Sequence, residues 1–213
     1  MNVLSFWFDP ISPYAHLAFE HLPQALEGHS VVVDYKPVLF GALLKHHSHK
    51  GPAEIVPKRA WTFRQVAWQA RELGVRLDVP AQHPFNPLAI LRLLLAAAGP
   101  GGLPNRYQVE SAFRHVWHGG ADPLDPSRLA ALQGALGVPD GVADAEPVKA
   151  RLRALTDEAL SKGVFGVPTW EYGGRLFWGL DALPMLRAAL RGDAWFDEEW
   201  ERAARPVPGI QRP

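Results

Sequence analysis

The residue best placed to do chemistry is Ser12, in the run Phe6-Trp7-Phe8-Asp9-Pro10-Ile11-Ser12-Pro13-Tyr14-Ala15. An apolar run precedes it and a helical pattern follows. Ser12 is a natural N-cap, and Pro13 suits the first helical position. A hydroxyl there stands at the positive end of a helix, beside backbone N–H groups that lack helical partners. Such a place attracts an anion or a thiolate. Read alone, Ser12 is first of all a plain helix cap, since Ser is among the commonest caps. A second group is His46-His47-Ser48-His49, followed by Lys50, Lys58 and Arg59. Three histidines this close can bind a transition metal. No acidic or thiolate residue nearby completes a familiar four-ligand set, so the expectation is no metal. The cations suit an acidic substrate or a solvated basic face. Trp61, Trp68, Tyr107 and Trp117 lie on helical stripes and are expected mainly in the core, with Trp61 a candidate wall of an aromatic substrate pocket.

Composition narrows the classes. The chain has 213 residues, 22 Lys plus Arg against 22 Asp plus Glu, and no cysteine. The charge balance gives no footprint for nucleic acid and no polybasic membrane anchor. Without cysteine there is no disulfide, no thiolate metal site and no redox dithiol. The N-terminus lacks the pattern of a secretory signal, which makes cytoplasmic the expected location. The longest apolar run, 88–98, is interrupted by Arg92 and too short to span a bilayer.

The elements that must position Ser12 follow from periodicity. Val3 to Phe8 reads as a buried strand and Ser12 to Leu26 as a helix. Ser30 to Val38 reads as a second strand, parallel to the first by a right-handed crossover. Helical patterns then occupy Phe40 to Lys45, Lys58 to Leu73 (stopped by Gly74), Pro87 to Ala98, Asn105 to Trp117, Pro126 to Leu136 and Ala143 to Lys162. Asn86 reads as a helix cap. Strands return at Val167 to Tyr172 and Arg175 to Trp178, joined by the Gly173-Gly174 turn. Asp181 to Leu190 closes the pattern, with Leu183, Met185, Leu186 and Leu190 expected inward. A short helix over Trp195 to Ala204 and a loosely ordered tail, Pro206 to Pro213, complete the chain.

This order, β-α-β, a helical block, then β-β-α, matches an α/β thioredoxin-like fold. Its mixed sheet would be split by a large all-helical insertion. The expected division is 1–38 for the first half of the sheet domain, 39–162 for the helical insertion and 163–213 for the second half and tail. In that fold a cis-proline faces the start of the first helix, and Val167-Pro168 supplies it.

The segments Phe8 to Tyr14, Gly163-Val164-Phe165-Gly166-Val167-Pro168-Thr169 and Phe177-Trp178-Gly179-Leu180-Asp181 resemble the 2-hydroxychromene-2-carboxylate isomerase family. That family is grouped with kappa-class glutathione transferases and related to disulfide oxidoreductases. The likeness runs almost end to end, through Gly41 to Lys45, Pro57-Lys58-Arg59 and Ala112 to Trp117. It implies glutathione as cofactor, with Ser12 stabilising the glutathione thiolate. The thiolate would add to an unsaturated carbon of an aromatic or unsaturated keto acid. The former double bond then rotates, and elimination leaves the other geometric isomer. The resemblance further implies cofactor contacts at Ser12, Pro13, Tyr14, Val167, Pro168, Trp178, Gly179, Leu180 and Asp181, with Asp181 facing the γ-glutamyl ammonium. It leaves Lys50, Lys58 and Trp61 as candidates on the substrate side. A homodimer is a further family implication. The chain departs from the family pattern twice. Ala182 stands where an Arg often follows the Asp, and His49 stands where an Asn is usual, its imidazole able to take over a hydrogen bond. A kappa-like glutathione transferase, and a non-catalytic thioredoxin-fold module that binds peptides or glutathione, are the alternatives.

Overall fold

The computed structural model describes residues 2–205; the expected tail, 206–213, lies outside the described residues. The strands are β1 (Asn2–Phe8), β2 (Val31–Pro37), β3 (Thr169–Tyr172) and β4 (Arg175–Trp178). The helices are α1 (Pro13–Ala25), α2 (Phe40–His46), α3 (Val56–Leu73), α4 (Leu88–Ala97), α5 (Arg106–Trp117), α6 (Pro126–Ala135), α7 (Glu146–Ser161), α8 (Leu183–Leu190), α9 (Trp195–Glu198) and α10 (Trp200–Ala203). Short 3-10 turns occupy Pro52–Glu54, Val142–Asp144 and Leu180–Ala182.

The four strands form one mixed sheet in the order β2-β1-β3-β4. β1 runs parallel to β2, from Asn2 opposite Val31 to Phe8 opposite Pro37. It is antiparallel to β3, with Trp7 opposite Thr169. Gly173 and Gly174 both have positive φ, 57° and 76°, the conformation a two-residue hairpin turn demands. This is the thioredoxin-like α/β fold, with α2 to α7 between the strand pairs.

β1 is central, so both its faces are buried, and alternation sorts them. Leu4, Phe6 and Phe8 join the main core with Leu17, Phe19, Phe113 and Trp117. Trp7 points the other way and packs with Val38, Leu43, Ala159, Val164 and Val167. Phe113 of α5 lies 5.2 Å from Phe19 of α1 and 5.5 Å from Phe8, ring centre to ring centre. The helical segment and the sheet therefore share one hydrophobic core.

Four burial expectations are overturned together. Trp61 is 62% exposed, Trp68 56% and Tyr107 61%, whereas Trp117 is fully buried. Met185, expected inward, is 45% exposed. The buried stripes are Val66 and Ala70 on α3, Val109 to Trp117 on α5, and Leu183 and Leu186 on α8. Trp68, Tyr107 and Met185 each stand two residues from such a position, about 200° around the helix. Trp68 carries the Arg71 guanidinium, 4.1 Å from its ring centre, on the solvent side. β3 also begins at Thr169 rather than Val167, and Asp181 lies in a 3-10 turn ahead of α8. No helix among the described residues is long and apolar enough to cross a membrane.

Candidate functional site

The turn after β1 is built from its own side chain. Asp9 accepts the Ile11 N–H on Oδ1 at 3.1 Å, and its carbonyl accepts the Ser12 N–H at 3.0 Å. Ser12 has the extended backbone of an N-cap, φ −85° and ψ 118°, and its Oγ accepts the Ala15 N–H at 3.2 Å. Pro13, at the first helical position, has no N–H. The Tyr14 N–H makes no hydrogen bond among the described residues. The cap thus leaves one backbone donor of the first helical turn open for an anion.

Across the site, the Val167–Pro168 peptide is cis. The Ser12 Oγ donates to the Val167 carbonyl at 3.4 Å, so the hydroxyl and the residue before the proline meet. The Val167 N–H makes no hydrogen bond among the described residues. The Thr169 Oγ1 donates to Gly166 O at 2.7 Å and pins the approach to the strand. A Cβ on Gly166 would stand 2.6 Å from Trp178 Nε1, so the indole lies directly against that backbone. Trp178 is half-exposed and leans on Phe165, 4.9 Å between ring centres.

Gly179 closes the ring of contacts. It has φ +98°, and its N–H donates to Pro168 O at 2.9 Å. A Cβ there would meet Asp181 Oδ1 at 2.4 Å, so both the conformation and the space call for glycine. Leu180 and Asp181 follow in the 3-10 turn. Burial raises the Tyr14 hydroxyl above its ordinary value, and the Asp181 charge adds to this. The Tyr14 hydroxyl donates to Gln65 Oε1 of α3 at 2.8 Å. A cavity of about 240 Å³ opens beside Asp181, with Gln69, Glu72 and His21 on its polar lining.

The segments carrying Ser12, Pro13, Tyr14, Val167, Pro168, Trp178, Gly179, Leu180 and Asp181 therefore meet at one place in the fold. His49, Lys50, Lys58 and Trp61 are exposed, and no hydrogen bond or ion pair ties them to those segments among the described residues. The His49 N–H donates to Leu44 O at 2.8 Å, and its ring centre lies 6.4 Å from that of His47. Among the described residues no three His, Asp or Glu side chains gather closely enough to hold a metal ion. Asn86 Oδ1 accepts the Leu88 N–H at 3.1 Å, a capping contact for α4.

Three contacts that hold the turn escape sequence reading, although Trp117 itself lies in the core as expected. Asp9 is fully buried, and its Oδ2 accepts the Phe40 N–H at 3.0 Å. Burial pushes its carboxyl up to about 7, against the downward pull of the Phe40 and Ile11 N–H groups. The Trp117 Nε1–H donates to Pro10 O at 2.8 Å. His83 Nε2 bonds Ile11 O at 2.9 Å. The Asp-Pro-x-Ser-Pro spacing marks Asp9 as a turn former; nothing local marks His83.

Chemically, a capped hydroxyl beside a free helix-end N–H can stabilise a thiolate. The free N–H of Val167, next to its carbonyl, can pair with an extended peptide backbone.

Comparison with known proteins fits this geometry. A family model described as a DSBA-like thioredoxin domain matches residues 3–191. Glutathione S-transferase kappa 2 of Caenorhabditis elegans is 28% identical over 182 residues, 78% of this chain and 79% of that protein. A 2-hydroxychromene-2-carboxylate isomerase of Sphingobium xenophagum is 27% identical over 196 residues, 89% of this chain and 98% of that protein. A solved structure of a 2-hydroxychromene-2-carboxylate isomerase superposes with a TM-score of 0.77 at 21% identity, covering 93% of this chain and 98% of that one.

Proposed function

The chain belongs to the DSBA-like thioredoxin domain family, and from that footing we propose that it is a glutathione-dependent cis–trans isomerase of the 2-hydroxychromene-2-carboxylate type. Its substrate class is an aromatic or unsaturated keto acid. The observation that carries the reading is the meeting of Ser12 Oγ with the Val167 carbonyl at a helix N-terminus in a chain without cysteine. A thiol-handling corner is present, and the thiol must come from a cofactor.

The residues fit glutathione. Among the described residues, the Tyr14 N–H and the Val167 N–H are donors without partners. When bound, glutathione supplies the nucleophilic thiolate. The Ser12 contact to Val167 is long for an O–H···O bond, so the hydroxyl can turn from the carbonyl to a sulfur at little cost. The same turn frees the Val167 carbonyl to accept a peptide N–H. Asp181 can face an ammonium group, while Ala182 offers no cation for the carboxylate beside it. Trp178 and Phe165, packed on each other, offer an apolar flank to a bound peptide. We place the protein in the cytoplasm, where glutathione keeps thiols reduced.

A second reading, a glutathione transferase that keeps the adduct as product, is favoured by the kappa-class relative. The test is calorimetry with glutathione, followed by a hydroxychromene carboxylate monitored by its absorbance. Isomerisation without thiol consumption supports the isomerase, and a stable adduct with thiol loss supports the transferase. No binding at millimolar glutathione removes both and leaves a peptide-binding module.

A further inference from the structure

The polar groups of residues 9–11 are taken one after another by the helical segment between β2 and β3. Phe40 N–H holds Asp9 Oδ2, Trp117 Nε1–H holds Pro10 O, and His83 holds Ile11 O. The three partners come from the start of α2, the end of α5 and the loop before α4. The bonds within the turn, Ile11 and Ser12 to Asp9, give it its shape. The three long-range bonds give it its place.

His83 shows that the donor matters. A carbonyl only accepts, so Nε2 carries the proton, and Nδ1 is left buried without a partner among the described residues. The ring sits among Phe63, Phe85 and Trp117, with centres 5.2, 6.1 and 5.7 Å away. A phenylalanine would fill that nest without stranding a nitrogen. What the imidazole adds is its hydrogen bond to the turn. Asp9 is equally particular. One oxygen accepts the Ile11 N–H from within the turn and the other accepts the Phe40 N–H from α2, so this one side chain both shapes the turn and ties it to the helical segment.

We propose that Asp9, His83 and Trp117 are positioning residues that clamp the 9–11 turn to the helical segment, and so hold the Ser12 hydroxyl and the Tyr14 N–H in register with Val167. Preorganised donors stabilise charge because they need no rearrangement when it appears, and a misplacement of about 1 Å can cost about 100-fold in rate. The consequence for the thiolate rests on the glutathione reading above; the clamp itself does not.

The test is the double variant His83→Phe with Trp117→Phe, which keeps the aromatic packing and removes both donors. Hydrogen exchange is followed at the Ile11, Ser12 and Ala15 amides and, for reference, in α7. The clamp requires at least tenfold faster exchange at the turn relative to α7. Replacing His83→Phe by His83→Gln, whose amide N–H can reach the same carbonyl, should recover part of the protection. Unchanged exchange, or a uniform increase across the chain, overturns the clamp. In parallel, thiolate absorbance gives the pKa of bound glutathione, which should rise by at least half a unit in the double variant. An unchanged thiol pKa with a loosened turn overturns the link to thiolate stabilisation. If the wild type binds no glutathione, the glutathione reading falls, and the exchange experiment still decides the clamp.

Discussion

Two helices of the same segment carry tryptophans and treat them in opposite ways. On α5, Trp117 is fully buried and its indole N–H reaches the carbonyl of Pro10. On α3, Trp61 and Trp68 stand mostly in solvent, one of them covered only by an arginine. Both helices are amphipathic, and all three residues recur at helical spacing. The difference lies in what each helix meets. α5 lies against α1 and the Ser12 turn through Phe113 and Trp117, while α3 offers its core the smaller pair Val66 and Ala70. Spacing defines stripes; a partner distant in sequence chooses which stripe is buried.

The contrast can be tested from its heaviest end. Trp117→Ala removes a fully buried ring and a turn hydrogen bond, so a stability loss of about 3–5 kcal/mol is expected by denaturant unfolding. A loss below about 1 kcal/mol would place Trp117 on the same footing as α3. Ser12→Ala should keep the fold, cost about 1 kcal/mol as a lost cap, and lower glutathione-dependent turnover at least tenfold. Unchanged turnover would reduce Ser12 to a cap.

The next effect is one of sign. His16, buried beside Trp117 and bonded to Arg76 O, is pushed down to about 4 by burial. The unfolded chain takes up its proton more readily, so this contribution is present above pH 6.5 and is lost as pH falls toward 4. Asp9, raised to about 7, acts oppositely: its contribution is present below its ordinary value of 3.8 and lost as pH rises through 7. In wild type the two slopes oppose each other over most of that interval. In His16→Gln, urea midpoints should fall more steeply as pH climbs from 4 to 7. A profile parallel to wild type would show that His16 does not titrate as described. The smallest effects belong to α3: Trp61→Ala and Trp68→Ala should each change stability by no more than about 0.5 kcal/mol. Larger losses would mean that the α3 face is covered by something in solution.

These contrasts also show what the sequence makes legible. The Ser12 cap, the Gly173-Gly174 hairpin and the stop at Gly74 are local events, each written within a few residues, and the structure contains them. Ser12 and Val167 are 155 positions apart, and only the thioredoxin-like order of elements brings them together on paper. His83 reaches Ile11 across 72 positions through a loop that has no period to read. The exposed tryptophans fail for a related reason. A shift of two residues along a helix leaves composition untouched yet carries a side chain to the far side.

The close fit of the Trp178 indole against Gly166 carries a consequence for descent. A side chain at 166 requires the half-exposed indole at 178 either to shift or to give way to a smaller residue. A lineage altering the first alone displaces its tryptophan, so the two sites should be inherited as a pair. In a library randomised at both, survivors with Ala or Ser at 166 should keep the indole at 178 less often than survivors with Gly.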